Sequence, residues 1–253
     1  MKEYNVSAVS YSNTWPFIYG LKKSNLPVKL NLAMPSLCAE NFKNNLADVA
    51  LVPVGALTEL SGYHIFSDYC IGAENKVRTV TLMSQVPLNE ITDIALDYQS
   101  KTSVRLAKLL AEKYWKIKPE FRQASKGYEK QITDTSAAVI IGDRVFEHEN
   151  NVKYIFDLSE EWYNWKKLPF VFAVWIARNN VPKEVLQQIN KALEYGVENI
   201  NPSIDEFFNQ EVSSMNKNTI TKYLHQNIKY NFNETMQQSI RIFLKEQEEL
   251  SII

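Results

Sequence analysis

Asn13 and Thr14 stand directly behind an alternating strand and ahead of Pro16, within Tyr11-Ser12-Asn13-Thr14-Trp15-Pro16. The fixed φ of proline suits a turn or a first helical position, so these two side chains and their neighbouring amides can face a ligand. The same side chains would also serve as plain helix caps. A second cluster, Ser100-Lys101-Thr102-Ser103, puts three hydroxyls and an ammonium at the start of a helix. Unpaired amides and the positive end of the helix dipole favour a carboxylate or phosphate there; an ordinary cap beside a solvated lysine would read the same way. Arg78 and Thr79 offer a cation and a hydroxyl at a strand entrance, with a surface arginine as the alternative. Gly142 and Asp143 close an apolar strand. Glycine permits close backbone approach, and a carboxylate at that end stands where open α/β sheets bind ligands, although Asp143 would equally cap the next helix. Two such corners in two halves of one chain make a cleft for a small anion.

The elements that must position these residues alternate. Strand-like runs fall at 6–11, 28–33, 49–52, 79–83, 94–96, 137–141 and 171–176, and helical spacing appears from Pro35, over 102–115, after Pro182 and over 234–250. This α/β alternation calls for a mostly parallel sheet flanked by helices on both faces. The expected division is two lobes, one formed by 1–84 plus 178–253 and the other by 85–177, with the ligand between them. Trp162, Trp165 and Trp175 are read as packing residues.

Several function classes drop out. With 28 Lys and Arg against 29 Asp and Glu, interspersed along the chain, no basic face suited to nucleic acid is expected. No apolar run approaches the roughly twenty residues that span a bilayer, so no membrane partner is expected. The first residues enter a strand pattern without a secretory signal, which points to the cytoplasm. Cys38 and Cys70 lie far apart and read as reduced, buried thiols. Neither GxGxxG nor GxxxxGK[ST] occurs, and there is no GxSxG elbow. His64, His148 and His225 lack the spacing that puts two ligands on one helix face, so no metal is expected. Whether His148, just beyond Asp143, reaches the cleft is open at this level.

Seven segments in order resemble the chorismate dehydratases of the futalosine route to menaquinone. They are Val9-Ser-Tyr-Ser-Asn-Thr-Trp-Pro16, Asp48-Val-Ala-Leu-Val-Pro53, Ser84-Gln-Val-Pro87, Ser100-Lys-Thr-Ser-Val104, Ile141-Gly-Asp143, Asp157-Leu-Ser-Glu-Glu-Trp162 and Leu168-Pro-Phe-Val-Phe-Ala-Val-Trp175. The resemblance spans nearly the whole chain and implies a two-lobed fold like that of type II periplasmic binding proteins. Ser12, Lys101 and Thr79 depart from the family's usual leucine, arginine and serine; a lysine keeps the charge but not the bidentate fork. A sister family, similar to a cyclase acting on dehypoxanthine futalosine, typically carries His-Glu-Gly where this chain has Ile141-Gly-Asp-Arg144.

The resemblance implies a hydro-lyase that takes chorismate to 3-[(1-carboxyvinyl)oxy]benzoate, without cofactor or metal, as a monomer or homodimer. Asn13, Thr79 and Asp143 become catalytic candidates; Tyr11, Ser12, Thr14, Arg78, Ser100, Lys101, Thr102, Ser103 and Gly142 become substrate-binding candidates. Two bases are open, Asp143 and the substrate's own enolpyruvyl carboxylate, and we favour the latter. The alternatives are a module that only binds an organic anion, and the sister cyclase.

Overall fold

The computed structural model describes residues 2–209 and 216–250. The chain opens with β1 (Tyr4–Val9), a 3-10 turn at Ser12–Thr14, α1 (Trp15–Lys23), β2 (Val28–Ala33), α2 (Pro35–Lys43), β3 (Val49–Pro53), a second 3-10 turn at Val54–Glu59 and the long β4 (Tyr63–Ala73). It then builds β5 (Val80–Ser84), β6 (Asp93–Leu96), α3 (Lys101–Leu109), β7 (Glu120–Gln123), β8 (Ser136–Ile141), α4 (Arg144–His148), β9 (Tyr154–Asp157) and α5 (Leu158–Lys166). It returns as β10 (Phe170–Arg178) and finishes with α6 (Lys183–Glu198), α7 (Ile200–Phe207), α8 (Lys217–Lys222), a wide turn at Tyr223–Asn227, β11 (Lys229–Asn231) and α9 (Glu234–Leu250).

Two sheets result, ordered β11-β4-β10-β3-β1-β2 and β7-β6-β8-β5-β9. Both are mixed, where the alternation of elements suggested mostly parallel pairing. β1 pairs parallel with β2 and β3, and β6 with β7 and β8, whereas β10 runs antiparallel to β3 and β4, β11 to β4, and β5 to β8 and β9. Sheet membership also moves both expected lobe boundaries. β5 belongs with the second sheet, in register from Val80 against Ile141, and β10 belongs with the first, in register from Ala173 against Pro53. Phe170–Ala177 is buried on both faces, as suits a strand in mid-sheet.

A close helix crossing fixes the corner that follows β1. Helix α1 crosses α6 at glycines: a Cβ on Gly20 would lie 1.8 Å from the Ala192 carbonyl oxygen, and one on Gly196 would lie 1.9 Å from that of Pro16. No other residue allows backbones to approach so closely. Trp15, Trp162 and Trp175 are fully buried, and Trp162 donates to Ser239 Oγ at 3.1 Å while its ring meets Phe170 and Phe243 edge-on.

The first crossover, between β4 and β5, is held by Asp157. Its carboxylate accepts from the amides of Val77 at 3.3 Å and Arg78 at 2.7 Å, and caps α5 by accepting from Ser159 at 3.0 Å and Glu160 at 3.2 Å. Arg78 itself sits at φ 67°, a left-handed conformation that a non-glycine residue adopts only when its surroundings impose it. Asp157→Ala strips four backbone donors, two of them fully buried, of their acceptor and is expected to destabilise the fold by about 2–4 kcal/mol. A urea midpoint equal to that of the wild type would contradict this.

Among the described residues no helix is long and apolar enough to cross a membrane, and no group of three or more His, Cys, Asp or Glu is placed to hold a metal ion. Cys38 and Cys70 are free and buried, and burial pushes the Cys38 thiol up to about 11.

Candidate functional site

The carboxyl ends of β1, β3 and β8 and the start of α3 converge on one cavity between the two sheets. Its polar lining comes from Tyr11, Asn13 and Thr14 behind β1, Thr79 before β5, and Ser100 and Ser103 at the start of α3. Its apolar walls are Val9, Pro35, Pro53, Ile71, Val77, Val80, Ile141, Phe172 and Ala173, with Gly142 at the edge. Among the described residues no charged side chain lines it. The cavity therefore offers hydroxyls, a carboxamide and backbone dipoles to whatever it holds.

Local structure explains which side chains face inward. Ser100 caps α3: its Oγ accepts from the Ser103 amide at 3.2 Å and shares a 2.9 Å hydrogen bond with Ser103 Oγ, so both hydroxyls are held at the cavity wall. Thr14 turns its hydroxyl back onto the carbonyls of Val9 at 2.6 Å and Tyr11 at 2.7 Å, which shapes the turn and leaves Asn13 facing the cavity. The Asn13 carbonyl oxygen Oδ1 is buried without a hydrogen-bond partner.

Five expected site residues, Ser12, Arg78, Lys101, Thr102 and Asp143, lie outside the lining and do other work. Lys101 pairs with Glu59, which also takes Arg105 at 2.7 Å, because the side chain leaves the first turn of α3 towards the 54–59 turn. Thr102 accepts from the Gly55 amide at 3.0 Å and donates to the Phe172 carbonyl at 3.2 Å, which seats α3 on the first sheet. A Cβ on Gly55 would lie 2.9 Å from the backbone of Thr102, so only glycine permits this seat. Arg78 extends away from the cavity to Glu149 at 2.9 Å and lies 5.1 Å from the Phe146 ring. Asp143 lies outside the cavity lining and accepts from Ser12, from its amide at 3.2 Å and its hydroxyl at 2.6 Å. His148, at the end of α4, is not part of the lining.

Ser12 and Asp143 belong to different halves of the molecule, and so do Tyr11 and Gln99, which are joined by a hydrogen bond from the Tyr11 hydroxyl to Gln99 Oε1. Gly142, at φ 66°, lies under the Tyr11 ring, whose carbon atoms would sit 3.0 Å from a Cβ there. These contacts close the cavity on one side. Burial raises the Asp143 carboxyl above its ordinary range, the two Ser12 donors pull it back, and the Glu147 charge adds to the rise.

The menaquinone biosynthesis family (VitK2_biosynth) matches residues 4–249 of this chain. The chain belongs to that family. Among curated proteins, the chorismate dehydratase of Thermus thermophilus is 28% identical over 152 residues, which cover 53% of this chain and 55% of that protein. The chain thus matches about half the length of that relative. Protein AF1704 of Archaeoglobus fulgidus superposes with a TM-score of 0.81 at 16% identity, covering 99% of this chain and 98% of that one. The Candida albicans CA3427 product, described as having the generic periplasmic binding protein fold, gives 0.66 at 11% identity over 98% and 91% of the two chains. The alkanesulfonate-binding protein SsuA of Xanthomonas axonopodis pv. citri gives 0.65 at 10% identity over 97% and 93%. This member of the menaquinone biosynthesis family thus has the periplasmic-binding-protein fold.

Two further residues of this menaquinone biosynthesis protein stand behind the cavity. Tyr223 places its hydroxyl 2.7 Å from Thr79 Oγ1, and Tyr230 donates to the Asn13 backbone carbonyl at 3.0 Å. Both tyrosines are buried. Sequence reading missed them: neither falls in a recognisable motif, and the fold brings them to the corner from residues more than 140 positions along the chain. Burial pushes the Tyr223 phenol well above its ordinary range, with the Asp143 charge acting in the same direction.

Proposed function

We propose that this protein is a chorismate dehydratase, a hydro-lyase acting in the cytoplasm on the route to menaquinone. The observation that carries the proposal is the cavity of hydroxyls and amide dipoles in a chain of the menaquinone biosynthesis family, one of whose curated relatives bears that name. Elimination of water is redox-neutral and ends in an aromatic ring, so the task left to the protein is to lower the barrier. Removal of the proton on the ether-bearing ring carbon sends its electron pair through the ring double bond onto the ring carboxylate. The carbon–oxygen bond to the hydroxyl then breaks; the hydroxide leaves with its electron pair and takes up the abstracted proton.

Ser100, Ser103 and the first amides of α3 are assigned to the ring carboxylate, where fixed dipoles stabilise the charge that develops. Asn13 and Thr79 are assigned to the ring hydroxyl. Asp143 accepts two hydrogen bonds from Ser12 and lies outside the lining, which supports the substrate's own enolpyruvyl carboxylate as the base. A well-aligned intramolecular carboxylate reaches an effective molarity of about 10⁵ M or more, enough to replace a protein base.

The test is incubation with chorismate, following ultraviolet absorbance and chromatography for 3-[(1-carboxyvinyl)oxy]benzoate. Binding of chorismate without conversion would instead indicate a solute-binding module, and turnover of dehypoxanthine futalosine would indicate the sister cyclase.

A further inference from the structure

The roles given to Asn13 and Thr79 depend on where their hydrogens point. Thr79 Oγ1 and the Tyr223 hydroxyl are 2.7 Å apart, and both residues are about 1% exposed. Asn13 Oδ1, on the cavity lining, is buried and unpartnered, so it is an acceptor left for the ligand. A phenol has a single proton. Thr79 is the hydrogen-bond partner that the described residues give the buried phenol, so Tyr223 gives that proton to Thr79, and Thr79, which lines the cavity, keeps its own for the ligand. Tyr230 anchors the Asn13 backbone from behind.

We propose that Tyr223 is a positioning residue that sets Thr79 as a donor to act with the Asn13 acceptor, and that this pair recognises a hydroxyl group on the ligand. A hydroxyl is the group that meets both partners at once, donating to Asn13 Oδ1 while accepting from Thr79. On the dehydratase reading, on which this inference rests, that hydroxyl is the leaving group. The hydrogen bond from Thr79 strengthens as negative charge gathers on the departing oxygen, so it acts more in the transition state than in the bound substrate. No proton leaves Tyr223; burial, which opposes the phenolate, keeps it in the donor state.

Tyr223→Phe removes one oxygen and keeps the ring that packs edge-on against Phe146. Its kcat on chorismate is expected to fall about 30-fold, with KM changed less than about threefold. In a double-mutant cycle with Thr79→Val the two losses are expected to overlap, and Thr79→Ser should retain most of the activity. Calorimetry with 3-[(1-carboxyvinyl)oxy]benzoate, which lacks the ring hydroxyl, should give the same Kd for wild type and Tyr223→Phe. Independent, multiplying losses, or an equal weakening of product binding, would overturn the proposal. If Tyr223→Phe fails to fold, Thr79→Val against Thr79→Ser decides it, since equal losses in the two would remove the donor role. Should the wild type leave chorismate intact, the dehydratase reading falls alone. The hydroxyl pair is then judged on binding: Tyr223→Phe must weaken chorismate about tenfold, the loss of roughly one hydrogen bond, and leave the aromatic acid unaffected.

Discussion

Replacing Asn13 by alanine is expected to lower kcat/KM on chorismate by about 10–100-fold, the scale of losing one hydrogen bond that orients the ring hydroxyl in a buried site. Asn13 lines the cavity, its Oδ1 has no partner within the protein, and its backbone is fixed by Tyr230, so neighbouring side chains are not placed to replace it. Asp143→Asn is expected to keep kcat within about tenfold of the wild type, because its carboxylate bonds to Ser12 and not to the cavity. Its effect should fall on KM: an asparagine keeps one oxygen for the Ser12 hydroxyl but turns an N–H towards the Ser12 amide, which loosens the closed side. Steady-state kinetics on the two variants separate these outcomes. A loss of about 10³-fold in Asp143→Asn alone would identify that carboxylate as the base.

The second large effect is on stability. Glycine to alanine in a helix ordinarily stabilises by up to about 1 kcal/mol, because the unfolded chain loses freedom and helix propensity improves. At Gly20 the sign should reverse. The added methyl carbon would sit 1.8 Å from a backbone oxygen and 2.9 Å from the Gly196 nitrogen, neither of which can swing aside as a side-chain tip would. Helices α1 and α6 must separate, and we expect Gly20→Ala to cost about 3 kcal/mol or more, above the usual range for overpacking because backbone must move. Because α1 begins immediately behind Asn13, the separation also displaces the corner of the site. Thermal and urea unfolding measure the first consequence, and product binding the second. A melting temperature at or above that of the wild type would show that the helices part at little cost.

The core strands were readable because their residues are apolar in runs that only a buried strand accommodates, as in Val49–Pro53 and Phe170–Arg178. The two corners were readable as well: Asn13, Thr79, Ser100 and Ser103 all reach the cavity. Sequence gave no means of telling a side chain that faces the cavity from its neighbour that faces the other half of the protein. Lys101 and Thr102 share one helical turn with Ser100 and Ser103, but in a helix adjacent residues point about 100° apart, and these two meet the 54–59 turn and Phe172 instead. Arg78 was misjudged for a different reason. Its left-handed backbone turns the side chain towards Glu149, and nothing in Val77-Arg78-Thr79 announces a positive φ. Orientation in the second sheet was hidden too, since the sense of β5 depends on partners that lie about sixty and seventy-five residues later.

The place of β10 between β3 and β4 has a consequence for biogenesis. Until residues near 170 leave the ribosome, β3 and β4 have no common partner and each shows an unpaired margin of amides and carbonyls. The second sheet, whose strands all come from 80–157, has every partner it needs before then. Synthesis therefore completes the middle of the polypeptide ahead of its beginning, and the half that emerges first must wait, open to association with other nascent chains, for the strand that closes it.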